Sequence, residues 1–168
     1  RIKEILQLLE SSNRARKDVE DGIVSDAKVR MALEVDLARD RVIVLADERW
    51  HLGVVGIVAS RIVDEHARPA FVLAVTDGVA KGSARSVEGF ALHEALESAR
   101  DLILTGGGHA MAAGVTLKVE NLPAFRERLN DYAAKALDGK SLEPGLDIDD
   151  EVPLAAIAQP LVDEIARL

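Results

Sequence analysis

The sequence predicts an α/β fold, a mixed β-sheet layered with helices and preceded by a long connector helix. Three observations carry this expectation. Ile2, Ile5, Leu6 and Leu9, then Val19, Ile23, Val24 and Ala27, keep helical spacing from Ile2 to about Leu37. Short apolar runs, one after Arg41 and one beginning at Ala70, alternate with further stretches of helical character. Asp77-Gly78 stands between two strand-like runs, where a tight hairpin would turn. With 168 residues, 48% of them hydrophobic and 30% charged, the chain can bury a core of its own.

The elements follow in order. The first helix has weak points at Asn13-Arg14 and Gly22, and its charged outer side marks it as a connector packed along a domain. Val42 to Ala46 reads as a buried strand. Val54 to His66 reads as a helix; Val54, Val55, Ile57, Val58, Ile62 and Val63 lie on several of its faces and place it between layers. Gly53, Gly56, Ala59 and Ser60 remove bulk and permit close approach on one side. Arg68-Pro69 ends that helix, and Ala70 to Thr76 and Val79 to Ala84 form the two arms of the hairpin. Phe90 to Ser98 is a short helix, with Asp101 to Leu104 continuing it or starting a strand. After Gly106-Gly107-Gly108, Gly114 to Val119 is another strand. Pro123 sits in the first turn of a helix running to Leu137, where its missing N–H costs nothing. The expected division is a connector over 1–40, an α/β domain over 41–138, a linker over 139–145, and the cut-short opening of a second domain over 146–168. That last stretch offers a strand near Leu146-Asp147-Ile148 and a helix ending at Leu168.

The chain contains no cysteine, which excludes disulfides, thiolate metal sites and a cysteine nucleophile. No apolar run is long enough to span a bilayer, and a cytoplasmic location is expected. The start at Arg1 instead of Met predicts an excised fragment. Six of the eight net negative charges fall between Asp138 and Leu168. The acidic balance therefore describes the tail and leaves room for an anionic ligand on the body.

Three local patterns could hold such a ligand. Gly106, Gly107 and Gly108, followed by His109, suit a loop whose consecutive N–H groups cradle a phosphate while the imidazole donates at its lip. The same residues also suit a plain glycine turn. Ser83 and Arg85 are two apart and share a face on a strand, where guanidinium and hydroxyl match phosphate; Lys81 and Ser86 flank them. A solvated edge strand would read the same way. Trp50-His51-Leu52-Gly53 precedes a helix N-terminus, with His51 a candidate anion contact and Trp50 expected to be core. His93 and Glu94 lack the second histidine of a zinc helix, and no metal-binding set is expected in this chain.

In order, Trp50 to Arg61, Arg68-Pro69, Gly82 to Ser86 and Gly107 to His109 with Ala112-Ala113-Gly114 resemble the RecJ single-strand-specific DNA exonucleases of the DHH phosphoesterase superfamily. The stretch is similar to their DHH-associated domain, Asn13 to Lys17 resembles the family's connecting helix, and the tail resembles the start of its oligonucleotide-binding barrel. The resemblance implies a 5′-to-3′ exonuclease for single-stranded DNA in repair and recombination, using Mn²⁺ or Mg²⁺ held by a DHH domain absent here. It implies that Ser83 and Arg85 hold DNA phosphate and that Gly106 to His109 face the scissile phosphate, with His109 contacting the reacting group. Thr105 departs from the bulkier aromatic of that pattern. The implied partners are single-stranded DNA, the missing DHH domain and single-stranded-DNA-binding protein; no cofactor would be bound by this piece, and alone it should not cut. Two alternatives are a DHH-type phosphodiesterase for cyclic dinucleotides or short RNA, and a non-catalytic module that docks a partner.

Overall fold

The structure is a computed structural model that describes residues 1–145, 151–154 and 157–166. Helix α1 spans Ile2–Glu34 without a break, and strand β1 spans Ile43–Asp47. Helix α2 (Val55–His66) leads to β2 (Ala70–Thr76) and β3 (Val79–Arg85). Helix α3 (Leu92–Ser98) and a single 3₁₀ turn precede β4 (Ile103–Gly108) and β5 (Ala112–Lys118). Helix α4 spans Leu122–Ala136 and the short α5 spans Gln159–Ile165. The strand expected near Leu146 and the helix end at Leu168 lie outside the described residues.

Among the described residues the strands form one mixed sheet in the order β1-β2-β3-β5-β4. β1 and β2 are parallel and joined through α2, while every other neighbouring pair is antiparallel. The β2–β3 turn is the two-residue hairpin the sequence predicts: Asp77 and Gly78 have φ of 50° and 75°, as such a turn requires at both positions.

Alternation along the strands divides the core between two faces. Phe71, Leu73, Ala80, Ala84, Val115 and Leu117 face α3 and α4, where Phe71 meets Phe125 edge-on at 5.5 Å. Ile43, Leu45, Val72 and Ala74 face α2, with Ile23, Ala27 and Met31 of α1 closing that layer. Asn130 fixes α4 to the sheet, its side-chain oxygen accepting the N–H groups of Arg41 and Val42 at 2.7 and 3.0 Å. Arg68 reaches carbonyl oxygens of Leu37, Asp40, His66 and Leu142, tying the end of the connector, the start of β1, the end of α2 and the segment after α4 to one guanidinium.

Three expectations are corrected here. The connector packs along the domain only in its second half: residues 1–19 are all exposed, and Glu20 is the first buried position. Gly22 does not weaken it, because that position faces open space and the backbone continues. Helix α2 is buried on one side rather than all round, since Ile57 remains 38% exposed while Val55, Val58, Ala59 and Ile62 face the layer beneath. Trp50 is core, as its position before α2 predicts, with 5% of its surface exposed. No helix among the described residues is long and apolar enough to cross a membrane.

Candidate nucleic-acid interface

Strand β3 sets the site through its alternation. Ala80, Gly82 and Ala84 turn to the α3–α4 core, so Lys81, Ser83 and Arg85 share the opposite face. Ser83 and Arg85 are half-buried and Lys81 is exposed. Helix α2 lies against this face with Gly56 in its first turn. A Cβ there would stand 3.2 Å from Arg85 Nη2 and 3.4 Å from Ser83 Oγ. The missing side chain is what lets helix, hydroxyl and guanidinium come together. Arg85 Nη1 donates to the Ala84 carbonyl at 2.9 Å, which steadies the guanidinium and leaves its other donors available. The Ser83 hydroxyl and the side chains of Lys81 and His109 have no partner among the described residues.

Pairing carries the surface outward. Ser83 lies opposite Gly114 on β5, which lies opposite Gly107 on β4, so two bare positions adjoin Ser83 on its own face. Arg85 lies opposite Ala112, and the His109 N–H donates to the Ala112 carbonyl at 2.8 Å. Arg85, Ala112 and His109 therefore stand at one level of the sheet, about 10 Å from first to last at two strand spacings. The result is a polar pair, Ser83 and Arg85, at the edge of a flat glycine and alanine floor, with an exposed imidazole at its end.

Gly106, Gly107 and Gly108 are the second half of strand β4 and not the expected loop. The His109 N–H closes the β4–β5 hairpin and is not free for a phosphate. Being the edge strand, β4 still turns alternate N–H groups away from β5. The three glycines have separate reasons: a side chain at Gly106 would crowd Ile103 (2.9 Å), one at Gly108 would meet the Ala112 carbonyl (2.4 Å), and Gly107 faces open space. Ser86 does not join the group. It is buried on the other face, where its hydroxyl donates to the Phe90 carbonyl at 2.6 Å. His51 is exposed ahead of α2, and its Nδ1 accepts the Gly53 N–H at 3.1 Å, so the ring shapes the turn that starts the helix. Thr116 on β5 lies opposite Lys81 on one side and Thr105 on the other, and extends the same face. No local pattern in the sequence singles out Thr116; only the strand register reveals it.

Among the described residues no three His, Asp or Glu side chains stand together in a way that could hold a metal ion. The residues of this face supply donors to an anion and do not fit a metal centre.

The chain as a whole is similar to known proteins. The DHHA1 domain profile matches residues 39–135. The chain is 50% identical over 109 residues to the single-stranded-DNA-specific exonuclease RecJ of Bacillus subtilis, covering 64% of this chain and 14% of that protein. It is 35% identical over 161 residues to the RecJ of Haemophilus influenzae, covering 90% and 28%. A crystal structure of RecJ in complex with Mg²⁺ from Thermus thermophilus superposes with a TM-score of 0.74 at 33% identity, over 98% of this chain and 24% of that one. A crystal structure of exonuclease RecJ bound to manganese gives 0.67 at 37% identity, over 79% and 32%. The chain thus spans less than a third of the length of these relatives. Its open sheet face, its α2 packing and its order of motifs all lie within the matched segment, and the chain belongs to the DHHA1 domain family.

Proposed function

We propose that this chain is the substrate-holding half of a 5′-to-3′ single-stranded-DNA exonuclease of repair and recombination. One observation supports the reading: Ser83 and Arg85 share a face beside a helix turn kept open by Gly56, with unengaged donors next to the bare positions of β5 and β4. A guanidinium fork beside a hydroxyl suits the oxygens of one phosphate. The flat floor of Gly107, Gly114 and Ala112 gives the phosphate and its sugar room without reading a base, which suits an enzyme indifferent to sequence. His109, at the same level, faces the phosphate being cut and donates to its oxygens as charge develops there. The metal ions that activate water belong to a DHH domain outside this chain, and that domain is the chain's first partner. The similarity to proteins named as single-stranded-DNA-specific exonucleases supports the substrate class. The residues after the linker over 139–145 would begin an oligonucleotide-binding domain, and single-stranded-DNA-binding protein would be a further partner.

The test is filter binding of this chain to a 5′-phosphorylated single strand, the same strand without the phosphate, a duplex and a cyclic dinucleotide. The expected order places the phosphorylated single strand first. Preference for the cyclic dinucleotide would move the assignment to the phosphodiesterases, and no binding to any of them would leave a protein-docking module.

A further inference from the structure

The first nineteen residues of the chain, almost all of them within α1, are exposed, so that half of the helix is an unsupported arm. Eighteen helical residues reach about 27 Å at 1.5 Å per residue. The arm's base is a buried carboxylate. Glu20 has 3% of its surface exposed, and its two oxygens are divided between two guanidinium groups: Oε2 accepts from Arg16 Nη1 at 2.8 Å and Oε1 from Arg61 Nη2 at 2.6 Å. Arg16 also donates to Asn13 Oδ1 at 2.9 Å, and Arg61 to Asp21 Oδ1 at 3.2 Å. Arg61 belongs to α2, the helix whose Gly56 borders Ser83 and Arg85. The arm is therefore tied to the element that bounds the phosphate face.

We infer that Glu20 is a positioning residue: through Arg61 and Arg16 it fixes the angle at which the connector arm leaves the domain, and so the distance between the Ser83–Arg85 face and whatever the arm carries. The inference rests on the exonuclease reading, in which the arm carries the metal-bearing half. Scale is the reason one clasp matters. A tilt of about 10° at Glu20 displaces the tip of a ~27 Å arm by about 5 Å, whereas reacting groups misplaced by about 1 Å already lose on the order of 100-fold in rate. Apolar packing alone would not hold that angle, because Ile23, Ala27 and Met31 all lie on the domain side of Glu20. The motif Asn13-Arg14-Ala15-Arg16-Lys17 acquires a role as well, since Asn13 and Arg16 brace the clasp from the arm side.

Two measurements test this. The chain has no cysteine, so Ser12→Cys and Asp131→Cys, both exposed, accept a pair of spin labels cleanly. The distance distribution should be narrow in the otherwise unaltered chain, broad in Glu20→Ala and in Arg61→Ala, and intermediate in Glu20→Gln, whose amide oxygen still serves one guanidinium. In the full-length nuclease, Glu20→Ala should lower kcat about 10- to 100-fold with KM for a 5′-phosphorylated strand changed less than about twofold; Glu20→Gln should recover part of it. An unchanged distribution overturns the clasp. A broad distribution with unchanged kcat overturns its positioning role and leaves the phosphate site untouched, because Arg85 variants test that site separately. If Glu20→Ala does not fold, Arg61→Ala, at a half-exposed position, gives the same readout.

Discussion

Arg85 and Gly56 meet across the gap between β3 and α2, and they differ in what a substitution does. Arg85→Ala removes the fork and should cost about 1.5–3 kcal/mol of single-strand binding, the range for hydrogen bonds to charged groups. Arg85→Lys keeps charge without the planar geometry and should recover little. His109→Ala should weaken binding less, yet cut turnover heavily in the full-length enzyme, the mark of a group that acts on the reacting phosphate. Titrations of each variant, paired with single-turnover cleavage, check this; wild-type behaviour in both would place the site elsewhere. Gly56→Ala separates stability from binding. Its new methyl would meet the tip of a flexible arginine, while helix propensity gains roughly 0.5–1 kcal/mol. The variant should melt no lower than the parent and bind DNA more weakly. Gly82→Ala is the opposite case, since its Cβ would stand 2.0 Å from the Val72 carbonyl of a paired strand, which cannot move aside. It should lose about 3 kcal/mol or more in denaturant titration. At this scale Ser83 and Arg85 were legible, because a two-residue spacing on a strand fixes a common face. Gly56 as their neighbour was not, since that contact depends on how a helix settles on the sheet. Ser86 misled because it follows the end of β3 and turns to the other face.

Among the elements, β1 and α1 are joined by charge. Asp47 is buried and accepts from Arg49 and from Arg30 of the connector, and Arg30 also pairs with Glu34 at 2.6 Å. The hydrogen bonds from Arg49, then that from Arg30, hold the Asp47 carboxyl well below the usual carboxylate range, against the opposing effect of its burial. A depressed folded-state pKa stabilises at pH values above the unfolded value, about 3.9, and that contribution is lost as pH falls below it. Urea midpoints measured at pH 7, 4 and 2.5 should fall with acid in the parent. Asp47→Asn should be most destabilised relative to the parent at pH 7, with the gap closing toward pH 2.5; a gap constant with pH would remove Asp47 from the acid response. Trp50 packs in the same layer, with the Arg30 guanidinium 5.9 Å from its ring centroid. Its emission should be blue-shifted and indifferent to oligonucleotide, and quenching by single strands would contradict its core role. Most elements were legible here to within a few residues, since periodicity and the Asp77-Gly78 and Pro123 signals are local. β4 was not. Three glycines have low strand propensity, and their extended form comes from pairing with β5 at the sheet edge.

At the scale of the whole molecule, the charge balance and the lack of a converging metal set among the described residues lead to one expectation: on the exonuclease reading proposed above, this chain holds DNA weakly and does not cut it. The body outside the acidic tail carries a net charge of only −2, and Lys81, Ser83, Arg85 and His109 bring positive or hydrogen-donating character to the open face. Two or three phosphates neutralised at about 0.7 log units of affinity per log unit of salt give a shallow salt dependence and weak binding. Hydrolysis demands more. A pair of divalent ions about 3.5–4 Å apart must be held by several carboxylates and imidazoles to generate hydroxide and neutralise the leaving oxygen. No trio of such side chains converges among the described residues, and the acids that are buried, Glu20, Asp40 and Asp47, are engaged with arginines. Incubated with a labelled 5′-phosphorylated single strand and Mn²⁺ or Mg²⁺, the purified chain should release no mononucleotide, while binding that strand more weakly as salt rises. Arg85→Ala should weaken the binding by roughly 10- to 150-fold and leave the absence of cleavage unchanged. Metal-dependent release of mononucleotides by the chain, lost in His109→Ala, would show that the catalytic centre lies within these residues and would overturn the division of labour between the two halves.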